Sequence, residues 1–121
     1  MDGMRITKDG TKGFIRHMIK NDIRWALRAL VVIYNQQDNE EKMFNSSNKH
    51  NGKGFGKVDA STLSIIAERY IRTKNISAHD IATVQTKIIR YAGQLYDLSD
   101  KQKLESQYKK YIIERELLIE R

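Results

Sequence analysis

The chain has 121 residues, 40% of them hydrophobic and 31% charged, which sets it as one folded domain rather than a disordered segment. It contains no cysteine and no proline, which excludes disulfides, thiol nucleophiles and thiolate metal sites and favours helix throughout. A net charge of +7 favours nucleic acid, an acidic protein face or a membrane surface as partner, with solubility alone as the plain alternative.

The charge is uneven along the chain. Cations exceed acids by seven to four over residues 1–38 and by four to two over 39–58, against eleven to nine over 59–121. No apolar run approaches the ~18 residues of a membrane span, and the first residues lack the apolar core of a secretion signal. The expected location is therefore the cytoplasm, with no membrane contact.

Residues 1–13 are polar and carry Gly3, Gly10 and Gly13. Two readings stand here. Asp9-Gly10 is a turn signal that would join Met4–Thr7 to Thr11–Ile15 in a small hairpin. Phe14, Ile15, Met18 and Ile19 instead have helical spacing, which predicts a short helix over 13–20.

Asn21 or Asp22 caps the clearest helix, over 22–37. Ile23, Ala26, Leu27, Leu30, Ile33 and Tyr34 follow the i, i+3, i+4, i+7 rule, and Trp25, Ala29, Val31 and Val32 widen the apolar face. A helix apolar almost all round belongs in the middle of a fold. Residues 38–58 show no apolar period and read as one long polar loop, a length that in small domains accompanies function or disorder.

Asp59 or Ser61 opens the next helix, over 60–73, with Leu63, Ile66, Ala67, Tyr70 and Ile71 inward and Asn75 at its end. Ser77 and Asp80 form a capping box for a third helix over 78–96. Ser99 with Gln102 repeats the pattern and opens a last helix to the C-terminus. The expected fold is all-α: a single domain, 1–121, built as a four- to five-helix bundle with a long basic, glycine-rich loop after the first long helix.

That loop carries the densest chemistry. Lys49-His50-Asn51-Gly52-Lys53-Gly54-Phe55-Gly56-Lys57 places three glycines and three lysines immediately before a helix start. Glycines that take φ > 0 let successive N–H groups point into an anion-binding nest, and the helix N-terminus adds partial positive charge. The candidate anion or nucleic-acid ligands are Lys49, Gly52, Lys53, Gly54, Phe55 and Lys57. Phe55 either stacks on a base or anchors the loop in the core. The run ends in valine where a Walker A loop needs Ser or Thr, and no strand precedes it, which argues against nucleotide hydrolysis.

A second cationic group follows spacing four: Arg16, Lys20, Arg24 and Arg28, beside Trp25. On one helical side these would track phosphates; the alternative is pairing with Asp22, Glu68 or another carboxylate. His17, His50 and His79 lie in separate elements without a His-x-x-x-His pair, so neither metal ligation nor catalysis is expected, and no cofactor. The last helix carries Tyr108, Tyr111, Ile112 and Leu118 on an apolar seam that either packs on the body of the domain or forms a homodimer interface.

Three segments together resemble small domains of phage and mobile-element proteins, some of which accompany DNA-processing enzymes. They are Arg24-Trp25-Ala26-Leu27-Arg28-Ala29-Leu30 with Ile33, Tyr34 and Gln37; Asn51-Gly52-Lys53-Gly54-Phe55 with Asp59 and Ala60; and Arg90-Tyr91-Ala92-Gly93-Gln94-Leu95. The resemblance covers residues 24–96. It implies a mobile-element origin, a bacterial host cell and a role near nucleic acid or in counter-defence, and it carries over no catalytic residue. The expected function is a non-enzymatic binding protein that engages nucleic acid or a nucleoprotein complex, for instance as an inhibitor of a host defence system. The alternative is a dimeric module that contacts an acidic protein partner.

Overall fold

The computed structural model describes residues 6–37 and 54–119, with side chains described up to Leu117. Among these the structure is helical, without a strand: α1 Lys8–Asn21, α2 Ile23–Tyr34, α3 Ala60–Thr73, α4 Ala78–Ile88, a 3-10 turn Ile89–Tyr91, α5 Ala92–Leu98 and α6 Lys101–Ile119.

α1 starts five residues before the short helix read from apolar spacing, and the hairpin does not form. Thr7 is the reason. Its hydroxyl accepts the Gly10 N–H at 2.9 Å, an N-cap worth about 1 kcal/mol. Asp9 and Gly10 therefore sit in a first helical turn, where an acidic residue suits the helix dipole. Asp22 then serves two helices at once. Its N–H donates to Met18 O at 2.7 Å, closing α1, while its carboxylate accepts the Arg24 N–H at 2.9 Å, opening α2. One residue thus makes the whole corner.

α2 lies at the centre and packs against α1, α3, α4 and α5. Ile19, Leu30, Ile33, Leu63, Val84 and Ile88 are fully shielded from water and make the middle of the core. The expected all-round burial of α2 is incomplete, since Ile23 at its first turn is exposed.

The segment 78–96 is two helices rather than one, broken by the 3-10 turn at Ile89–Tyr91. Apolar spacing continues through the break, so periodicity does not reveal it. Ser77 caps α4 as expected, accepting the Asp80 N–H at 3.1 Å. Asp80 itself reaches Arg69 at 3.0 Å and ties α4 to α3. α3 closes on Lys74 in the left-handed region at φ 60°, one residue before the expected Asn75. Asp100, rather than Ser99, caps α6: its Oδ1 accepts the Lys103 N–H at 3.2 Å. The Ser99 hydroxyl turns back to Tyr96 O at 2.7 Å.

α6 attaches through its first three turns. Leu104 is buried, Tyr108 stacks on Phe14 at 4.9 Å, and Tyr111 lies 5.3 Å from the same ring. Beyond Tyr111, Ile113 and Leu117 are 40% and 55% exposed.

Candidate nucleic-acid interface

Gln37, residues 54–56 and the pair Tyr91 and Gln94 meet in space where the described chain resumes. Gly54 takes φ +79°, and a Cβ there would lie 2.6 Å from Gln37 Cγ, so only glycine fits. Its N–H donates to Gln94 Oε1 at 2.9 Å, and its carbonyl accepts from Gln94 Nε2 at 2.9 Å. The Phe55 N–H donates to Gln37 Oε1 at 3.4 Å, and the Gly56 N–H to the Tyr91 hydroxyl at 2.8 Å. Three successive N–H groups of the expected nest are therefore already taken by side chains. Phe55 is 1% exposed and packs between Tyr34 and Tyr91, at ring distances of 6.5 and 5.9 Å. Of its two readings, the anchor is the one the structure displays.

Asp59 is the second half of this fastening. It stands at the N-terminus of α3 yet makes no side-chain cap. Its Oδ2 instead accepts from Tyr91 Oη at 2.8 Å and from Arg90 Nη1 at 3.0 Å. Oδ1 accepts no hydrogen bond among the described residues, and Lys87 Nζ lies 3.6 Å away. Burial pushes the Tyr91 phenol up to about 12; the Gly56 N–H opposes this and the Asp59 carboxylate adds to it. Tyr91 thus stays protonated at ordinary pH and keeps donating to Asp59. Tyr34, pushed up to about 12 by burial and by its bond to Glu68, behaves the same way.

The outcome is a basic surface that does not depend on open backbone. Two cations share one buried carboxylate, and both reach water: the Lys87 side chain is 34% exposed and that of Arg90 56%. Lys57 and Val58 are exposed on the turn between Gly56 and Asp59. α1 supplies the other half. Gln85 Nε2 donates to Ile19 O and Lys20 O, both at 3.2 Å. Lys12 Nζ lies 3.8 Å from where a Cβ on Gly93 would sit, and Lys8 Nζ lies 5.4 Å above the Tyr96 ring. These contacts lay α1 antiparallel along residues 85–96. Lys12, Arg16 and Lys20, spaced by four on α1, therefore run beside the segment that carries Lys87 and Arg90. Exposed Asp9 and Asp97 bound this face at its outer end.

The expected four-cation stripe divides at the Asp22 corner. Arg16 and Lys20 are exposed on α1 and belong to the face. Arg24 pairs with Asp22 at 3.2 Å, and its guanidinium holds that carboxyl below the ordinary range. Arg28 lines a separate groove with Trp25. Lys49, Gly52 and Lys53 lie outside the described residues, as does the side chain of Leu118. Tyr108 and Tyr111, expected at an oligomer interface, are engaged within the chain by Phe14 and His17; Ile112 is half-buried.

Lys12, Lys87 and Arg90 are the cations that sequence reading did not place in a site. Lys12 was within reach, since it extends the spacing of Arg16 and Lys20 by one turn. His17 accepts or donates within 2.9 Å of Tyr111 Oη, and His79 is exposed. Among the described residues no group of three or more His, Asp or Glu is placed to hold a metal ion, and no helix is long and apolar enough to cross a membrane. Compared with protein-family models, with curated proteins and with solved structures, the chain matches none.

Proposed function

We propose that the protein is a non-enzymatic binding protein that engages the phosphate backbone of nucleic acid, alone or within a nucleoprotein complex. The observation that carries this reading is the register of α1 against residues 85–96, which sets Lys12, Arg16 and Lys20 beside the segment that carries Lys87 and Arg90. Such a face suits phosphates and reads no bases, so it positions rather than specifies. An inhibitor of a host defence complex is one concrete form of this proposal, the one that the sequence resemblance implies.

Binding of this kind is dominated by counterion release. If about four phosphates are neutralised, log K against log salt should have a slope of about −3.5, which is a ~100-fold loss from 50 to 200 mM salt. Fluorescence anisotropy with labelled duplex and single-stranded oligonucleotides measures this. Arg16→Ala with Lys20→Ala should flatten the slope by about 2 without moving the melting temperature, because both side chains are exposed. Arg24→Ala should leave the slope alone. Absent binding at low salt, or a slope near zero, would end the nucleic-acid reading.

A second reading rests on Ile113 and Leu117, exposed on the outer half of α6. These suit a protein contact, the nearest being a second copy of the chain paired through α6. Sedimentation should then show a dimer that Leu117→Glu dissociates. A monomer across the whole concentration range would remove this reading.

A further inference from the structure

A groove of about 320 Å³ opens between α1, α2, α5 and α6. Its volume lies at the small end of ligand pockets, and its lining is mostly apolar, as in such pockets. Ile19, Leu95 and Leu104 form part of the lining, and Leu98, 45% exposed, stands at its edge. Trp25 forms a wall. Its ring meets Phe14 edge-on at 5.6 Å on one side and borders the groove on the other.

The polar lining is unbalanced in charge. Arg28 and Lys103 both border the groove, both are exposed, and neither side chain has an ion pair among the described residues. Asp100 is the acidic residue of the lining, and its carboxylate caps the Lys103 N–H at 3.2 Å. The Ser99 hydroxyl is engaged by Tyr96 O. The N-terminus of α6, nineteen residues long, adds partial positive charge at the same place. An apolar trough with net positive charge at its lip matches a molecule that has an aliphatic body and one anionic head. The volume is too small for a docked helix, whose diameter with side chains is about 10–12 Å.

We propose that this groove binds a free long-chain carboxylate, with the acyl chain along the apolar lining and the head between Arg28 and Lys103. The groove shares no lining residue with Lys12, Arg16, Lys20, Lys87 or Arg90. Trp25 is the single tryptophan of the chain and forms part of the groove wall, so its fluorescence responds to occupancy there. Decanoate below its micelle concentration should change that signal saturably. Decanol, which has the chain without the charge, should bind about tenfold more weakly, and acetate should leave the signal unchanged. Arg28→Gln and Lys103→Gln should each weaken decanoate by up to about fivefold, the upper size of an exposed ion pair, and leave decanol unaffected. Asp100→Asn, which retains a good capping side chain, should tighten decanoate. Circular dichroism confirms that each variant is folded. A change that never saturates, decanol equal to decanoate, or a folded Arg28→Gln protein with undiminished decanoate affinity would each overturn the proposal.

Discussion

Phe55→Ala should lower stability by about 3–4 kcal/mol, the range for emptying a buried aromatic site. Thermal denaturation should show a melting temperature reduced by roughly 10–20 °C. The ring is 1% exposed and touches aromatic neighbours from both α2 and the 3-10 turn, so little surrounding structure is free to collapse into the space. Phe55→Leu should recover most of the loss. Nucleic-acid affinity of folded Phe55→Ala should fall only slightly, because Arg16 and Lys20 are exposed on α1 and Arg90 is held by Asp59. A variant with unchanged melting temperature and sharply weaker binding would instead make Phe55 a base-stacking residue and reverse the assignment.

Asp59→Ala should have opposite effects on stability and on binding. Its carboxylate is 2% exposed and accepts from Tyr91 and Arg90. Removing one partner of a fully buried ion pair costs about 3–5 kcal/mol. Arg90 and Lys87 are partly open to water and can be resolvated, so the expected loss is smaller, about 2–3 kcal/mol, most of it from the Tyr91 hydroxyl left without its acceptor. At the same time one negative charge leaves the basic face. Affinity for an oligonucleotide at low salt should therefore rise, and the salt slope steepen, while the melting temperature falls. Anisotropy and thermal denaturation on the same preparation test both signs. A fall in both would show that the face depends on Asp59 for its shape.

Much of the helical frame was legible in the sequence, because burial on one side of a helix leaves a 3.6-residue signature. α2, α3, α4 and α6 show it, and so do the caps at Asp22 and Ser77. α1 was misplaced for a local reason: glycines at 10 and 13 weigh against helix, and a single threonine hydroxyl outweighs them. Asp59 opens α3 as its sequence suggests, but its carboxylate does not cap the helix, as an acidic residue there ordinarily would. What diverts its carboxylate is a tyrosine and an arginine more than thirty positions away, and no local pattern encodes that distance. The basic face was half legible. Spacing four named Arg16 and Lys20, but it joined them to Arg24 and Arg28 across a corner that only the double-duty Asp22 reveals. Lys87 and Arg90 lie on a segment brought beside α1 only by the antiparallel register of α1 against residues 85–96, which is a tertiary fact.

The fastening of Gly54 has a consequence for how this fold would be inherited. Gln94 binds both the N–H and the carbonyl of one residue, Gly54, while Gln37 and Tyr91 each accept a neighbouring main-chain N–H and also donate to a side chain, Ser64 and Asp59. A partner recognised through its backbone has no side-chain identity to exchange. Substitution at 94 cannot then be compensated at 54: glutamate would lack the donor, and a shorter asparagine would lack the reach. Among descendants of this chain, these positions should therefore be kept or lost together as a block, with no compensating pairs, and divergence should be concentrated in the side chains that the three readers ignore.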